Sequence, residues 1–360
     1  MHKLQEGLSF RSAVALLALF YIGHLGIYHA GQGLGADGWL AMLAGFALSV
    51  PMFLIFSRLT RLMPGANLFE MLEEGFGRVL SYVVAVLYLA YFLILASTVL
   101  GQVEFMRAVS LPHTPLAVLL LLFFATATYF AYCGVLPIGK WSVLIICIAG
   151  AISVLLSLLS ISNLRVFNLL PIGAVGGTAI LRGGYRFMLT PMGAGVVLLA
   201  LLGRSSKGLN YYKVFFFGGA LALLFFLGTF LRDLAILGTQ GIERLTYPAY
   251  QAASAIRFGA GGGRVESLVT VLVLLSVLTM LAVCLSAAAH AIRRVTLRQE
   301  TRRMVIPAAV LALGLTLLLG TRYAQGFPLE AIYLRYAPIV QLGIPLVLWV
   351  VLELKMRRHG

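Results

Sequence analysis

Long apolar runs separated by short polar connections make up most of this chain. Ten of them are long enough for a membrane span, since a helix needs about 20 apolar residues to cross the hydrocarbon core. They do not alternate apolar and polar residues as barrel strands do, so we predict an all-α integral membrane protein. The ten predicted spans are 9–30, 38–60, 80–106, 115–133, 138–160, 185–203, 211–231, 265–290, 305–320 and 337–354.

Two of these spans are broken in the middle by glycine or proline. The first span breaks at Tyr21-Ile22-Gly23-His24-Leu25-Gly26, and the first span of the second half breaks at Thr190-Pro191-Met192-Gly193-Ala194-Gly195. Paired breaks at corresponding positions are the pattern of a substrate site in transporter-like proteins. The freed backbone groups cannot face lipid, so they must face protein, water or a ligand.

The chemistry of such breaks suits a zwitterion. A half-helix that begins at a break offers N–H groups to a carboxylate, and one that ends there offers carbonyls to an ammonium group. An amino acid carries both groups. The alternative for Gly23 and Gly26 is a close-packing face between helices, and the alternative for His24 is a hydrogen-bonded packing residue.

Polar side chains at spacings of three and four mark one face of the third span and one face of the eighth. Such stripes indicate faces turned toward a cavity or toward each other, and hydrogen bonds between helices explain them equally well. The stripes are Tyr88, Tyr91, Leu95, Thr98 and Gln102, and Ser276, Thr279, Val283, Ser286 and His290. The predicted ligand-binding residues are Gly23, His24, Leu25, Gly26, Tyr91, Thr98, Met192, Gly193, Ala194, Gly195 and Thr279.

Few ionisable residues fall at span depth. Glu104 and Lys140 are candidates for coupling or gating, because charges within a membrane are usually functional. Both lie near span ends, however, where they can pair or reach the interface instead. No chain of Asp, Glu and His crosses the bilayer, which weakens a proton-pump interpretation.

Composition and charge agree with a membrane protein. The chain of 360 residues is 61% hydrophobic and 11% charged, against about 25% charged in soluble domains. Its net charge of +15 is explained by membrane topology rather than by a nucleic-acid partner. With cytoplasmic termini, 17 of the 27 Lys and Arg residues lie on the cytoplasmic side, which predicts this orientation.

We predict one polytopic domain over 1–360, with a first repeat at about 9–160 and a second at about 185–354. The two longest connections are expected to hold short surface helices at about 172–181 and 246–257. Cysteines 133, 147 and 284 lack metal-ligand spacing, and no catalytic or nucleotide-binding arrangement is present. The sequence therefore predicts no metal, no cofactor and no enzyme.

Five short motifs, in order along nearly the whole chain, resemble those of the spore germination receptor B-subunit family (GerAB-like) of the amino acid–polyamine–organocation superfamily. They are Ala36–Leu40, Pro64–Glu70 followed by Gly75–Gly77, Gly134 with Lys140, Asn168–Pro171, and Tyr247-Pro248 followed by Arg264–Ser267. The family often carries an acidic residue at the start of span six, which this chain lacks.

The resemblance implies a LeuT-like inverted five-helix repeat with broken first and sixth helices. It also implies an integral-membrane subunit of a nutrient germinant receptor, located in the spore inner membrane or cell membrane. Its expected partners are an amino-acid-like nutrient, the A and C subunits of the receptor, and the lipid bilayer. The alternatives are an ion-coupled amino-acid permease and a structural subunit with a vestigial pocket.

Overall fold

Helices make up nearly all of the described structure. The computed structural model describes residues 7–24, 33–201, 203, 208–256, 265–298, 300–323 and 329–359. Its α-helices are α1 Phe10–Ile22, α2 Gly38–Leu62, α3 Leu68–Ser97, α4 Val99–Val109, α5 Leu116–Cys133, α6 Val135–Leu159, α7 Gly177–Phe187, α8 Val196–Leu201, α9 Tyr211–Arg244, α10 Pro248–Ser254, α11 Glu266–Thr296, α12 Thr301–Tyr323, α13 Leu329–Pro338 and α14 Ile344–His359.

The ten predicted spans correspond to these helices. Within the described residues, nine helical stretches are long and apolar enough to cross a membrane, and α1 is a shorter apolar helix. Helices α3 and α4 together form span three, α7 and α8 form span six, and α13 and α14 form span ten. The molecule is therefore a multi-pass membrane protein.

Two spans extend beyond their predicted limits and turn a corner at a glycine. Helix α3 begins at Leu68, and its path bends at Gly77 (φ 75°) before the membrane span. Helix α9 continues past residue 231 to Arg244 and bends at Gly238 (φ 69°). Positive φ is strained for other residues, so glycine permits both corners. Each half of the chain thus has a short helical piece between its second and third spans.

One of the two predicted surface helices is present and the other is misplaced. Helix α10 lies within the predicted segment 246–257. The prediction for 172–181 is wrong, because 172–176 form turns and α7 begins at Gly177 and leads directly into span six. The carboxylate of Asp37 accepts hydrogen bonds from the N–H groups of Gly173 (2.6 Å) and Val175 (3.1 Å), which holds this loop against the start of α2.

Span six lies at the centre of the molecule. In its most apolar window 83% of the residues are buried, against 22% for the span Thr301–Gly320. Its first half packs closely on α2, where a Cβ atom placed on Gly45 would lie 2.5 Å from the carbonyl oxygen of Gly184. The broken segment is therefore enclosed by protein rather than by lipid.

Both ends of the described helical bundle lie on one face, which we call the termini face. Arg58, near the end of α2, pairs with Glu353 of α14 at 2.7 Å. At the start of α6, Gly139 lies against Leu8 and Ser12 at the start of α1. Because the number of spans is even, the start of the first helix and the end of the last helix lie on the same side.

Candidate functional site

The first break begins where α1 ends, at Ile22. Gly23 and His24 form a turn, while the predicted site residues Leu25 and Gly26 lie outside the described residues. The buried His24 ring places Nδ1 3.0 Å from the carbonyl oxygen of Phe20. A carbonyl only accepts, so Nδ1 carries the proton and a neutral ring leaves Nε2 as an acceptor. That Nε2 atom has no partner among the described residues.

The second break is a π-helical turn, Met188–Met192, followed by a 3-10 turn, Gly193–Gly195. Pro191 has no N–H group, so it cannot continue the hydrogen-bond ladder. Span ten satisfies one freed carbonyl, because Leu189 accepts from Gln341 Nε2 at 2.9 Å and from the Tyr333 hydroxyl at 3.2 Å. Protein side chains thus meet the backbone that the break exposes.

The described glycines of both breaks face close neighbours. A Cβ atom on Gly23 would lie 2.7 Å from the Cβ of Met280, on α11. A Cβ atom on Gly193 would collide with Gln341, and one on Gly195 would collide with the Tyr21 hydroxyl. These are the contacts of a packed interface, and the prediction that the glycines also line a ligand site stays a prediction.

A buried polar network connects spans three, six and ten. Gln341 Nε2 lies 2.7 Å from the Tyr91 hydroxyl and 2.9 Å from the Tyr333 hydroxyl, and the two hydroxyls are 3.3 Å apart. Tyr91 was a predicted site residue, whereas Gln341 and Tyr333 were not. A signal was available, because Tyr333 and Gln341 are eight residues apart and so share one face of a helix.

Both polar stripes face the interior, but their hydrogen bonds differ. On α11, the hydroxyls of Ser276, Thr279 and Ser286 bond to carbonyls one turn back in their own helix. Thr98, a predicted site residue, likewise bonds to Leu95. Gln102 instead reaches the first break, with Nε2 3.5 Å from the carbonyl oxygen of Gly23. Of the two stripes, the one on the third span is therefore the one that reaches a break through a side-chain hydrogen bond among the described residues.

Buried polar atoms without partners concentrate at the two breaks. Five such side-chain atoms occur among the described residues, and four of them belong to residues at or against the breaks. In native structures most buried polar atoms are hydrogen-bonded, so each exception needs an explanation. The four are Tyr21 Oη, His24 Nε2, Gln102 Oε1 and Gln341 Oε1.

The other predicted site residues are less informative. Met192 and Ala194 are fully buried in the second break. Glu104 is half-buried in α4. The side chain of Lys140 is exposed at the start of α6, whereas a coupling role for Lys140 would require a desolvated ammonium group. Among the described residues, no group of three or more His, Cys, Asp or Glu could hold a metal ion.

A cavity of about 780 Å³ opens on the termini face. Its wall includes Ser286 and His290 from the α11 stripe, together with Asn67, Glu70 and Arg293. The end of that stripe at Ser286 and His290 therefore borders a cavity.

Comparison with solved structures shows the fold. The chain is similar to Mhp1, a nucleobase-cation-symport-1 family transporter solved in a closed conformation with bromovinylhydantoin bound (TM-score 0.69, 16% identity, 93% of this chain and 76% of that one). It is also similar to a mutant manganese transporter of Eremococcus coleocola (TM-score 0.66, 14% identity, 96% and 77%). These likenesses confirm the LeuT-like fold with broken first and sixth helices.

Comparison with known sequences shows the family. The chain is 20% identical to spore germination protein KB of Bacillus subtilis, over 98% of this chain and 96% of that protein. It is 24% identical to spore germination protein YndE of the same organism, over 59% and 58%. The family profile described as spore germination protein matches residues 8–322. This chain therefore belongs to the spore germination protein family.

Proposed function

We propose that this chain is the integral-membrane subunit of a nutrient germinant receptor and binds an amino acid or a similar small nutrient between its two helix breaks. Binding triggers spore germination, with the A and C subunits of the receptor as partners. Membership of the spore germination family supports the role. The observation that supports the site is the set of four unpartnered buried polar atoms at the breaks.

These atoms favour a ligand rich in N–H donors. The amide nitrogens of Gln102 and Gln341 point at carbonyl or hydroxyl oxygens, so their amide oxygens are left as acceptors. His24 Nε2 is a third acceptor. An ammonium group has three donors and no acceptor, so the ammonium group of an amino acid fits neutral acceptors of this kind.

Sensing then depends on conformational preference. A ligand shifts a protein between two conformations only if it binds one of them more tightly. In this proposal the ligand supplies the missing hydrogen bonds at the breaks in one conformation, and the partner subunits respond to that conformation. The receptor lies in the spore inner membrane or the cell membrane with both termini in the cytoplasm, as the distribution of basic residues indicates.

The alternative candidate is an ion-coupled amino-acid permease. The two solved structures named above are transporters, and they share the fold over more than nine tenths of this chain. The likeness supports only the architecture, and transport by this chain requires its own experiment.

The receptor proposal is tested with spores that carry Gln102→Leu in place of the native chain. We expect these spores to need about tenfold to a hundredfold more amino acid for the same germination rate, because a hydrogen bond to a charged group contributes about 1.5–3 kcal/mol. The matched control is Gln240→Leu, since Gln240 is an exposed glutamine on α9. A normal response from spores that contain normal amounts of the Gln102→Leu protein contradicts the proposal.

Purified protein in liposomes separates sensing from transport. We expect radiolabelled amino acid to bind without accumulating when a pH or Na⁺ gradient is imposed. Gradient-driven accumulation that His24→Ala or Lys140→Ala abolishes would instead identify a coupled permease.

A further inference from the structure

A second cavity, of about 140 Å³, lies on the face opposite the termini face. An engineered cavity of about 150 Å³ in another protein holds benzene, so this space is large enough for a small organic molecule. Its wall is formed by residues of α2, α4, α6, α9, α11 and the segment around α10. Gln102 belongs to this wall and also contacts Gly23, so the cavity reaches the first helix break.

The cavity wall contains a buried ion pair from one helix. Arg232 and Asp233 are neighbours on α9, with side chains only 6% and 5% exposed. The Nη2 and Nε atoms of Arg232 lie 2.6 Å and 2.9 Å from the same atom, Asp233 Oδ1. Both residues line the cavity.

This ion pair is incomplete. A carboxylate can accept a fork of two parallel bonds from a guanidinium group, one at each oxygen. Here one oxygen accepts both bonds, and among the described residues neither Asp233 Oδ2 nor Arg232 Nη1 has a partner. Charged groups removed from water need further hydrogen bonds to be stable. The cavity that both residues line is where such bonds can be made.

The remaining lining is largely aromatic and aliphatic. The ring of Phe105 on α4 lies 4.7 Å from the ring of Tyr247 and 6.0 Å from that of Tyr250, measured between centroids. Phe226 and Phe230 of α9 line the same space. The cavity therefore combines one positive group, one negative group and an apolar wall.

We propose that this cavity is a second binding site, which takes a small zwitterion with an apolar side chain. The ligand's carboxylate binds Arg232, its ammonium group binds Asp233, and its side chain packs against the ring of Phe105. The site adjoins the one between the helix breaks, with which it shares Gln102, and is the position that a ligand occupies before it reaches them. This order of binding, first in the cavity and then at the breaks, rests on the proposed function.

The test follows labelling of one cysteine in the cavity wall. Ala249→Cys is introduced into the full chain after the three native cysteines are replaced by alanine, since Ala249 lines the cavity. A small thiol reagent is applied in nanodiscs with L-valine as the probe. Isobutylamine lacks the carboxylate of valine, and 3-methylbutanoate lacks its ammonium group. We expect valine to slow labelling and each analogue to require at least about tenfold higher concentration for the same effect.

Removal of the ion pair supplies the second arm. Arg232→Met/Asp233→Asn removes both charges together, because loss of one partner alone would leave an unpaired buried charge and destabilise the fold. We expect this variant to require about tenfold to a hundredfold more valine for protection. The matched control is Glu243→Gln/Arg244→Met, which neutralises an adjacent acid–base pair that is exposed on the same helix.

Two results overturn the inference. In the first, valine does not slow labelling, which means that only water fills the cavity. In the second, valine protects the Arg232→Met/Asp233→Asn variant as well as it protects the chain with the ion pair. The proposed function fails by a different result, which is a normal amino-acid response in spores that lack the chain. If valine does not slow labelling but spores that lack the chain lose their amino-acid response, only the cavity site is rejected. If valine slows labelling but spores that lack the chain respond normally to amino acids, the cavity site is supported and the receptor role is rejected.

Discussion

At the scale of single residues, Gln341 organises the centre of the molecule. Its amide nitrogen lies within 2.9 Å of the Tyr91 hydroxyl, the Tyr333 hydroxyl and the Leu189 carbonyl. The group has only two hydrogens for these three oxygens. One side chain of span ten therefore holds span three and the broken part of span six together.

We predict that Gln341→Leu lowers the free energy of unfolding by about 1–3 kcal/mol, because it removes the amide donor that three buried oxygens share. Chemical unfolding in detergent, followed by circular dichroism, measures the change. Gln240→Leu serves as control, since its exposed side chain makes no such bonds. Equal unfolding midpoints for Gln341→Leu and the native chain would show that the network does not stabilise the fold.

At the scale of secondary-structure elements, Arg294 fixes the corner at Gly77. Its Nη1 atom lies 2.6 Å from Glu73 Oε2, before the corner, and its Nη2 atom lies 2.8 Å from Ser81 Oγ, after it. The planar guanidinium group can bond to both sides at once. Helix α11 thereby sets the angle between the two parts of α3.

We predict that Arg294→Lys destabilises the protein by about 1–2 kcal/mol, because a lysine ammonium group is compact and loses one of the two bonds. The adjacent Arg293→Lys is the control. Arg293 is 3.9 Å from Glu70, and the two side chains are 28% and 50% exposed, so we expect a change of about 0.5 kcal/mol or less. The measurement is thermal unfolding of the purified variants, and equal losses for both would contradict the assignment.

The sequence was sufficient for the elements that depend on local pattern. The apolar runs predicted the spans because hydrophobic length is what a bilayer selects. The break at Thr190–Gly195 was predicted because Pro191 and two glycines weaken a helix locally. The end of span seven was predicted too early, because the charges of Arg232 and Asp233 resemble a membrane boundary in sequence, whereas in the structure they pair inside the protein.

The parts of the site that were missed depend on contacts between distant segments. Gln341 meets Tyr91 across 250 positions of sequence. No periodicity within span ten shows which neighbour it packs against. Gly23, Gly193 and Gly195 lie at the interruptions of the first and sixth spans, as the sequence predicted, but only the packing reveals that Gly193 faces Gln341 and that Gly195 faces Tyr21.

At the scale of the whole molecule, the arrangement of the two faces gives a test of orientation. The loop after α6 lies on the face opposite the termini face, and Val166 in this loop is 74% exposed. The end of α11 lies on the termini face, where Arg298 is exposed. Asp37, at the start of α2, would be a poor reporter, because its side chain is buried and bonded to the loop at Gly173.

We predict that, in a variant without native cysteines, Val166→Cys reacts with an impermeant thiol reagent added outside cells and Arg298→Cys does not. The reason is that the basic residues concentrate on the termini face, which the positive-inside rule assigns to the cytoplasm. Labelling of both after permeabilisation is the control for accessibility. Labelling of Arg298→Cys in intact cells would reverse the orientation.

The close packing of α7 on α2 has a mechanical consequence for span six. Through the Gly45–Gly184 contact, the first half of this span is fixed to α2, while the second half, α8, packs mainly on α11 and α3 and only slightly on α2. The two halves of one span thus belong to two different groups of helices. Residues 188–195, which join them, lack the regular hydrogen-bond ladder that stiffens an α-helix. A rotation of one group against the other would therefore bend the chain most easily in this segment.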